Sequence, residues 1–150
     1  MDELLRIENL SVSIDSPAGK VRAVRDVSFS LRPGEVLAIV GESGCGKTML
    51  CRAVMKLLPK AAKIDGGRIV ANGVDITRYT DRDMEKLRGK FFSMVFQDPL
   101  TALNPTIPVG TQIAEAIRVH EPKLPREEVA ARVLRLMELV GIPRPEERYA

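Results

Sequence analysis

The sequence has no tryptophan, two tyrosines and four phenylalanines among its 150 residues. Stacking platforms for single-stranded nucleic acid are therefore not expected, and no nucleic-acid partner is read from it. Cysteine is scarce too. Cys45 and Cys51 lie six positions apart, a spacing that fits neither a zinc site nor a disulfide framework, so the chain reads as cytosolic with reduced thiols. No apolar run approaches about 18 residues, so no segment is expected to span a membrane. Met1-Asp2-Glu3-Leu4-Leu5 has no basic region followed by a long apolar core and does not read as a signal peptide. Internal repeats and low-complexity tracts are missing.

What is present describes a globular, domain-sized chain, 45% hydrophobic and 29% charged. A net charge of +3 suits phosphate ligands or acidic lipid without demanding nucleic acid. One stretch organises the rest. Val36-Leu37-Ala38-Ile39-Val40 is an uninterrupted apolar run, expected to be a strand buried on both faces. Gly41-Glu42-Ser43-Gly44-Cys45-Gly46-Lys47-Thr48 then matches the phosphate-binding pattern G-x-x-x-x-G-K-[ST]. Met49 to Leu58 follows as a predicted helix ended by Pro59. Glycines let the backbone bring its N–H groups against phosphate oxygens, and the helix aims its positive end at the same anion. Lys47 can reach the β- and γ-phosphates, and the Thr48 hydroxyl can ligate Mg²⁺.

Ahead of the loop, residues 3–14 and 21–31 alternate apolar and polar, predicting two strands with one wet face and hence an antiparallel β layer beside an α/β core. Lys60 to Asp65 reads as a polar link. Arg68 to Ala71, Asn72-Gly73 and Val74 to Ile76 read as a hairpin. Thr80 or Asp81 caps a predicted helix through Leu87, stopped at Gly89. Phe91 to Phe96 is a second buried-strand candidate ending at Gln97. Asp98 to Pro108 reads as an ordered loop and Val109 to His120 as a helix. A last helix from Pro125 to Val140 has its apolar stripe at Val129, Val133, Leu136, Leu139 and Val140, with Gly141 as its stop. His120 is read as a solvated side chain. No apolar strand ending in Asp or Glu follows Gln97 to hold Mg²⁺ and position water, so the chain reads as cut short.

Together these pieces closely resemble the ATP-binding subunits of ABC transporters, best the peptide-importer (oligopeptide, dipeptide, nickel) branch. Gly41 to Thr48, Phe96-Gln97-Asp98-Pro99 and Leu103-Asn104-Pro105 carry the resemblance, which extends from Leu4 to Tyr149. It implies an α/β P-loop NTPase of the ABC type: residues 1–97 as β layer and nucleotide-binding core, 98–150 as Q-loop and start of a helical subdomain. It implies ATP and Mg²⁺ as ligands, with Gln97 as the Q-loop glutamine approaching Mg²⁺ and the attacking water beside Lys47. Implied partners are the transmembrane permease subunits, through about 98–109, and a second ATP-binding subunit, at the cytoplasmic face of the membrane.

The pattern departs from the family in three places. The region of the usual adenine-stacking aromatic is Ala18-Gly19-Lys20-Val21. The signature segment is absent, and so are the acidic strand end and switch histidine. A GTPase is disfavoured, because no Asp stands three residues before a Gly after Thr48 and there is no Asn-Lys-x-Asp. A small-molecule kinase usually starts at the loop, without β structure ahead of it. The reading from a different class is a nucleotide-binding or interaction module that does not turn over ATP.

Overall fold

The computed structural model describes residues 3–97 and 102–149. It divides into two compact units, Met1–Arg88 and Gly89–Ala150. The first is built on an antiparallel sheet of order β2-β1-β3-β4, with β1 at Leu5–Ser16, β2 at Gly19–Leu31, β3 at Ala62–Ala71 and β4 at Val74–Asp75. The two alternating segments thus pair as expected. The polar link does not exist as a link: Ala62, Lys63 and Ile64 pair with Ile14, Ser13 and Val12. Ladder bonds to β1 outweigh the low strand propensity of a polar segment.

Three strands break their pairing near one height. Asn9 in β1, Asp26 in β2 and Gly67 in β3 all have positive φ, and the register shifts beside them. Asn9 Nδ2 donates to Asp26 Oδ1 at 2.8 Å, and the Asp26 N–H donates to Ser11 Oγ at 3.0 Å. The Ser11 hydroxyl thus satisfies a backbone N–H that the ladder leaves, and the Asn9–Asp26 pair links the two strands across the break. Opposite them Gly67 is forced: a Cβ there would lie 2.5 Å from Leu10 Cα and 2.6 Å from the Asn9 carbonyl oxygen.

The hairpin turn Asn72-Gly73 forms as expected, both residues at positive φ, with Val70 opposite Asp75. After it, Asp75 Oδ1 accepts the Thr77 N–H at 2.9 Å and Oδ2 accepts Arg68 Nε at 3.1 Å. Hydrogen bonds from Thr77, then Arg68, bring the Asp75 carboxyl down to about 2.

Helix α1 covers Lys47–Val54 and puts Leu50, Ala53 and Val54 into the core, touching β1 and β2. It ends earlier than Pro59. Lys56 takes positive φ, its N–H bonds the Ala53 carbonyl at 3.1 Å, and Leu57 N–H bonds Arg52 O at 2.8 Å. That pair is a Schellman end. Arg88 closes the same end, donating to the Met55 and Lys56 carbonyls and to Asp81. Helix α2, Asp81–Glu85, starts at Thr80 with a capping box to Asp83 and buries Met84.

Two expected core strands are not strands. Residues 36–40 have no pairing partner among the described residues, and Val36 is 93% exposed. Residues 91–96 make only the bridge at Phe92, and Val95 is 88% exposed. A parallel core strand takes its order from neighbours on both sides and cover on both faces, which these segments lack here.

The second unit contains α3, Val109–His120, α4, Arg126–Leu139, and α5, Pro145–Tyr149. Its core is Ala114, Val129, Val133 and Met137, with Ile113, Ile117, Ile142 and Tyr149 against it. The predicted stripe of α4 is right at Val129 and Val133 and wrong beyond. Met137 is buried, while Leu139 and Val140 are exposed, because the chain turns at Gly141 and Ile142 packs back instead. Helix α5 was not anticipated. It lies against Gly110, where a Cβ would meet Tyr149 O at 2.6 Å. Nor is His120 simply solvated: its ring rests on Gly89, 2.1 Å from where a Cβ would be.

Two outcomes test these backbone and charge constraints. Gly67→Ala combines left-handed strain with backbone overlap and should cost about 2–4 kcal/mol in urea unfolding, against about 1 for Gly73→Ala, which has open space. Asp75 has a depressed folded pKa, so its contribution is present above about pH 4 and fades as pH falls toward 2. Melting temperatures of wild type and Asp75→Asn should therefore differ at neutral pH and converge in that window.

Candidate functional site

The residues 41–48 form one connected loop on the first unit. Cys45 N–H bonds the Glu42 carbonyl at 3.3 Å, and Leu50 N–H bonds the Gly46 carbonyl at 2.9 Å, starting α1. Gly44 and Gly46 both have positive φ, at 82° and 96°. Gly46 is the N-cap of α1, with no side-chain cap and no acidic residue in the first turn. The first N–H groups of the helix are therefore not satisfied by the chain's own side chains, and the dipole end is not neutralised.

Gly46 is glycine for two reasons. Its φ suits a residue without Cβ, and the place of a Cβ is taken by the Ala23 carbonyl oxygen, 2.1 Å away. Gly41 is tight as well, since a Cβ there would meet Cys45 Sγ at 2.7 Å. Lys47 Nζ donates to the Gly41 and Glu42 carbonyls, both at 2.7 Å, and lies 3.4 Å from Cys45 Sγ. The ammonium is thus held at the mouth of the loop. Cys45 and Thr48 are exposed. A concave backbone with free N–H groups, a cation and a hydroxyl is equipped to hold a polyanion and a hard metal ion on it. Among the described residues no three His, Cys, Asp or Glu side chains converge as a separate metal site.

Gln97 belongs to the second unit, exposed in a bend. Asp98 to Thr101, and so the Asp98-Pro99 and Leu100 parts of the predicted motif, lie outside the described residues. Residues 102–108 form a loop locked by a side chain that the sequence did not single out. Gln112 Oε1 accepts the Asn104 N–H at 2.9 Å, and its Nε2 donates to Asn104 O at 2.9 Å and Ile107 O at 2.8 Å. Leu103 and Ile107 are left exposed on that loop. Sequence reasoning also missed the Ala23 contact, since nothing in a local pattern reveals which strand a glycine touches. No described helix is long and apolar enough to cross a membrane.

A glycine loop opening a helix beside an antiparallel β layer defines a phosphate-loop protein. The chain belongs to the ABC transporter family, whose model matches residues 24–150. It is 48% identical over 149 residues to the dipeptide transport ATP-binding protein DppD of Bacillus subtilis (strain 168), covering 99% of this chain and 44% of that protein. The oligopeptide transport ATP-binding protein OppD of the same organism is 45% identical over 146 residues, covering 97% and 40%. The chain thus spans less than half the length of these relatives.

Among solved structures, the ATP-binding cassette MJ0796, in a dimeric post-hydrolysis state bound to ADP and Pi, superposes with a TM-score of 0.79. Identity is 17%, over 97% of this chain and 60% of that one, so the likeness speaks for fold alone. The cbiO1 structure from Clostridium perfringens gives 0.68 at 27% identity, covering 95% and 52%. The fold class read from the sequence is therefore the observed one.

The loop geometry separates its glycines. Gly44→Ala meets open space and should cost about 1 kcal/mol. Gly46→Ala must displace β2 or α1, so it should cost clearly more and should speed amide exchange at Leu50, whose N–H bonds the Gly46 carbonyl. Urea melts and exchange spectra of the two variants check the order.

Proposed function

We propose that this chain carries the nucleotide-phosphate site of an ATP-binding subunit that powers ABC-type transport of peptides across the cytoplasmic membrane. The observation that carries the proposal is the loop itself: uncapped N–H groups at Gly46 and beyond, Lys47 at its mouth, and no space for a side chain at Gly46. The likeness to dipeptide and oligopeptide transport proteins supports the substrate class. In this reading Gly41, Glu42, Ser43, Gly44, Cys45 and Gly46 wrap the phosphates with backbone N–H groups, and Lys47 pairs with their charge. Thr48 and Gln97 are the residues that would hold Mg²⁺, which neutralises phosphate charge when bound. The exposed hydroxyl of Thr48 fits that role, as does the neutral amide of Gln97.

The same reading takes residues 1–97 as nucleotide-binding core and 98–150 as Q-loop and start of a helical subdomain. It makes the segment at about 98–109 the surface for transmembrane permease subunits. Leu103 and Ile107, exposed on a loop that Gln112 stiffens, support a docking role, since a pre-ordered loop loses less entropy on binding. A second ATP-binding subunit completes the assembly at the cytoplasmic face of the membrane.

Lys47→Ala tests the proposal. It removes charge-assisted hydrogen bonds worth roughly 1.5–3 kcal/mol, so Mg·ATP affinity should fall about tenfold to a hundredfold in a titration. Equal affinity in wild type and variant would reject the phosphate-site assignment.

A further inference from the structure

Strand β2 carries one residue more than its ladder with β1 requires. Val12 pairs with Val24 and Ser13 with Arg22, so Ala23 is left without a partner. The breaks at Asn9 and at Arg25–Asp26 compensate each other: Ile7 opposite Phe29 and Val12 opposite Val24 keep one register. The break at Ala23 has no counterpart on β1, and the shifted register continues to Ser16 opposite Gly19. Side chains alternate faces along a strand. Removing Ala23 would therefore leave Val24 on the face of Val12, and Arg22 on the face of Ser13. The sheet has no need of the extra residue.

The phosphate loop does. The Ala23 carbonyl oxygen stands 2.1 Å from the place of a Gly46 Cβ, and Val24 Cγ2 stands 3.7 Å from it. Bulges re-aim backbone and side chains beside sites. A carbonyl on a hydrogen-bonded strand is also a stiffer support than any side chain.

We infer that the Ala23 bulge is a positioning element for the phosphate loop, the backbone seat that holds Gly46 in its left-handed conformation and aims the N–H groups of residues 46–49. This rests on the phosphate-site reading above. Ala23 touches no ligand in it and acts only through Gly46.

Deleting Ala23 removes this one break from the β1–β2 ladder and tests the inference. The folded deletion variant should exchange the hydrogen-bonded amides of Cys45 and Leu50 about tenfold faster, and Mg·ADP affinity should fall by a similar factor. Val24→Ala, which thins the same seat without touching the register, should move both readouts in the same direction. Gly67→Ala weakens the sheet away from Gly46 and should leave both at wild-type values below its melting temperature. Wild-type exchange at Cys45 and Leu50 in the deletion variant overturns the inference, and so does equal loosening by Gly67→Ala. If the deletion variant does not fold, unchanged exchange in Val24→Ala overturns it. Failure of the wild type to bind Mg·ADP rejects the phosphate-site reading instead, while the exchange measurement, made without nucleotide, still decides the role of Ala23.

Discussion

The first unit depends on one close approach: a strand carbonyl, that of Ala23, occupying the space where Gly46 would carry a side chain. A helix that starts on a left-handed glycine pressed against a sheet has its direction set at its first residue. From there α1 runs with Leu50 and Ala53 against the sheet and stops in a Schellman turn at Lys56. Arg88, reaching the Met55 and Lys56 carbonyls, ties the far end. Helix α1 is therefore held at both ends, and the glycine loop is held where it enters the helix. Its conformation comes from tertiary contact more than from its own hydrogen bonds.

The sheet carries a second irregularity, separate from that contact. Positive φ at Asn9, Asp26 and Gly67 concentrates the irregularity of three neighbouring strands near one height. Asn9, Asp26 and Ser11 satisfy one another across the break, so the irregular backbone exposes few unpaired groups. Bulges increase local twist and bend. In the second unit small residues play the comparable part. Gly110 admits the backbone of Tyr149, and Gly89 admits the ring of His120.

Much of this was legible in the residues. The Asn72-Gly73 turn, the Thr80 cap, α3 at Val109 to His120 and the glycine stop at Gly141 rest on local backbone preferences that survive any tertiary setting. Errors came where a partner decides. Lys60 to Asp65 looked like a link, yet β1 recruits Ala62 to Ile64 as strand. Val36 to Val40 and Phe91 to Phe96 looked like buried strands, yet neither has the neighbours that would make it one among the described residues. On α4 the stripe drifted toward Leu139 because periodicity alone does not reveal where the neighbouring helix ends.

By itself, the sequence determined the glycine loop, its family and the order of turns and caps, since these depend on residue types at short, fixed spacings. Only the tertiary structure decided why Gly46 admits no Cβ, which residue of β2 is left over to support it, and that Gln112 locks the loop after Gln97. Those are contacts between residues five or more positions apart, and a local pattern carries no record of which backbone comes to lie against it.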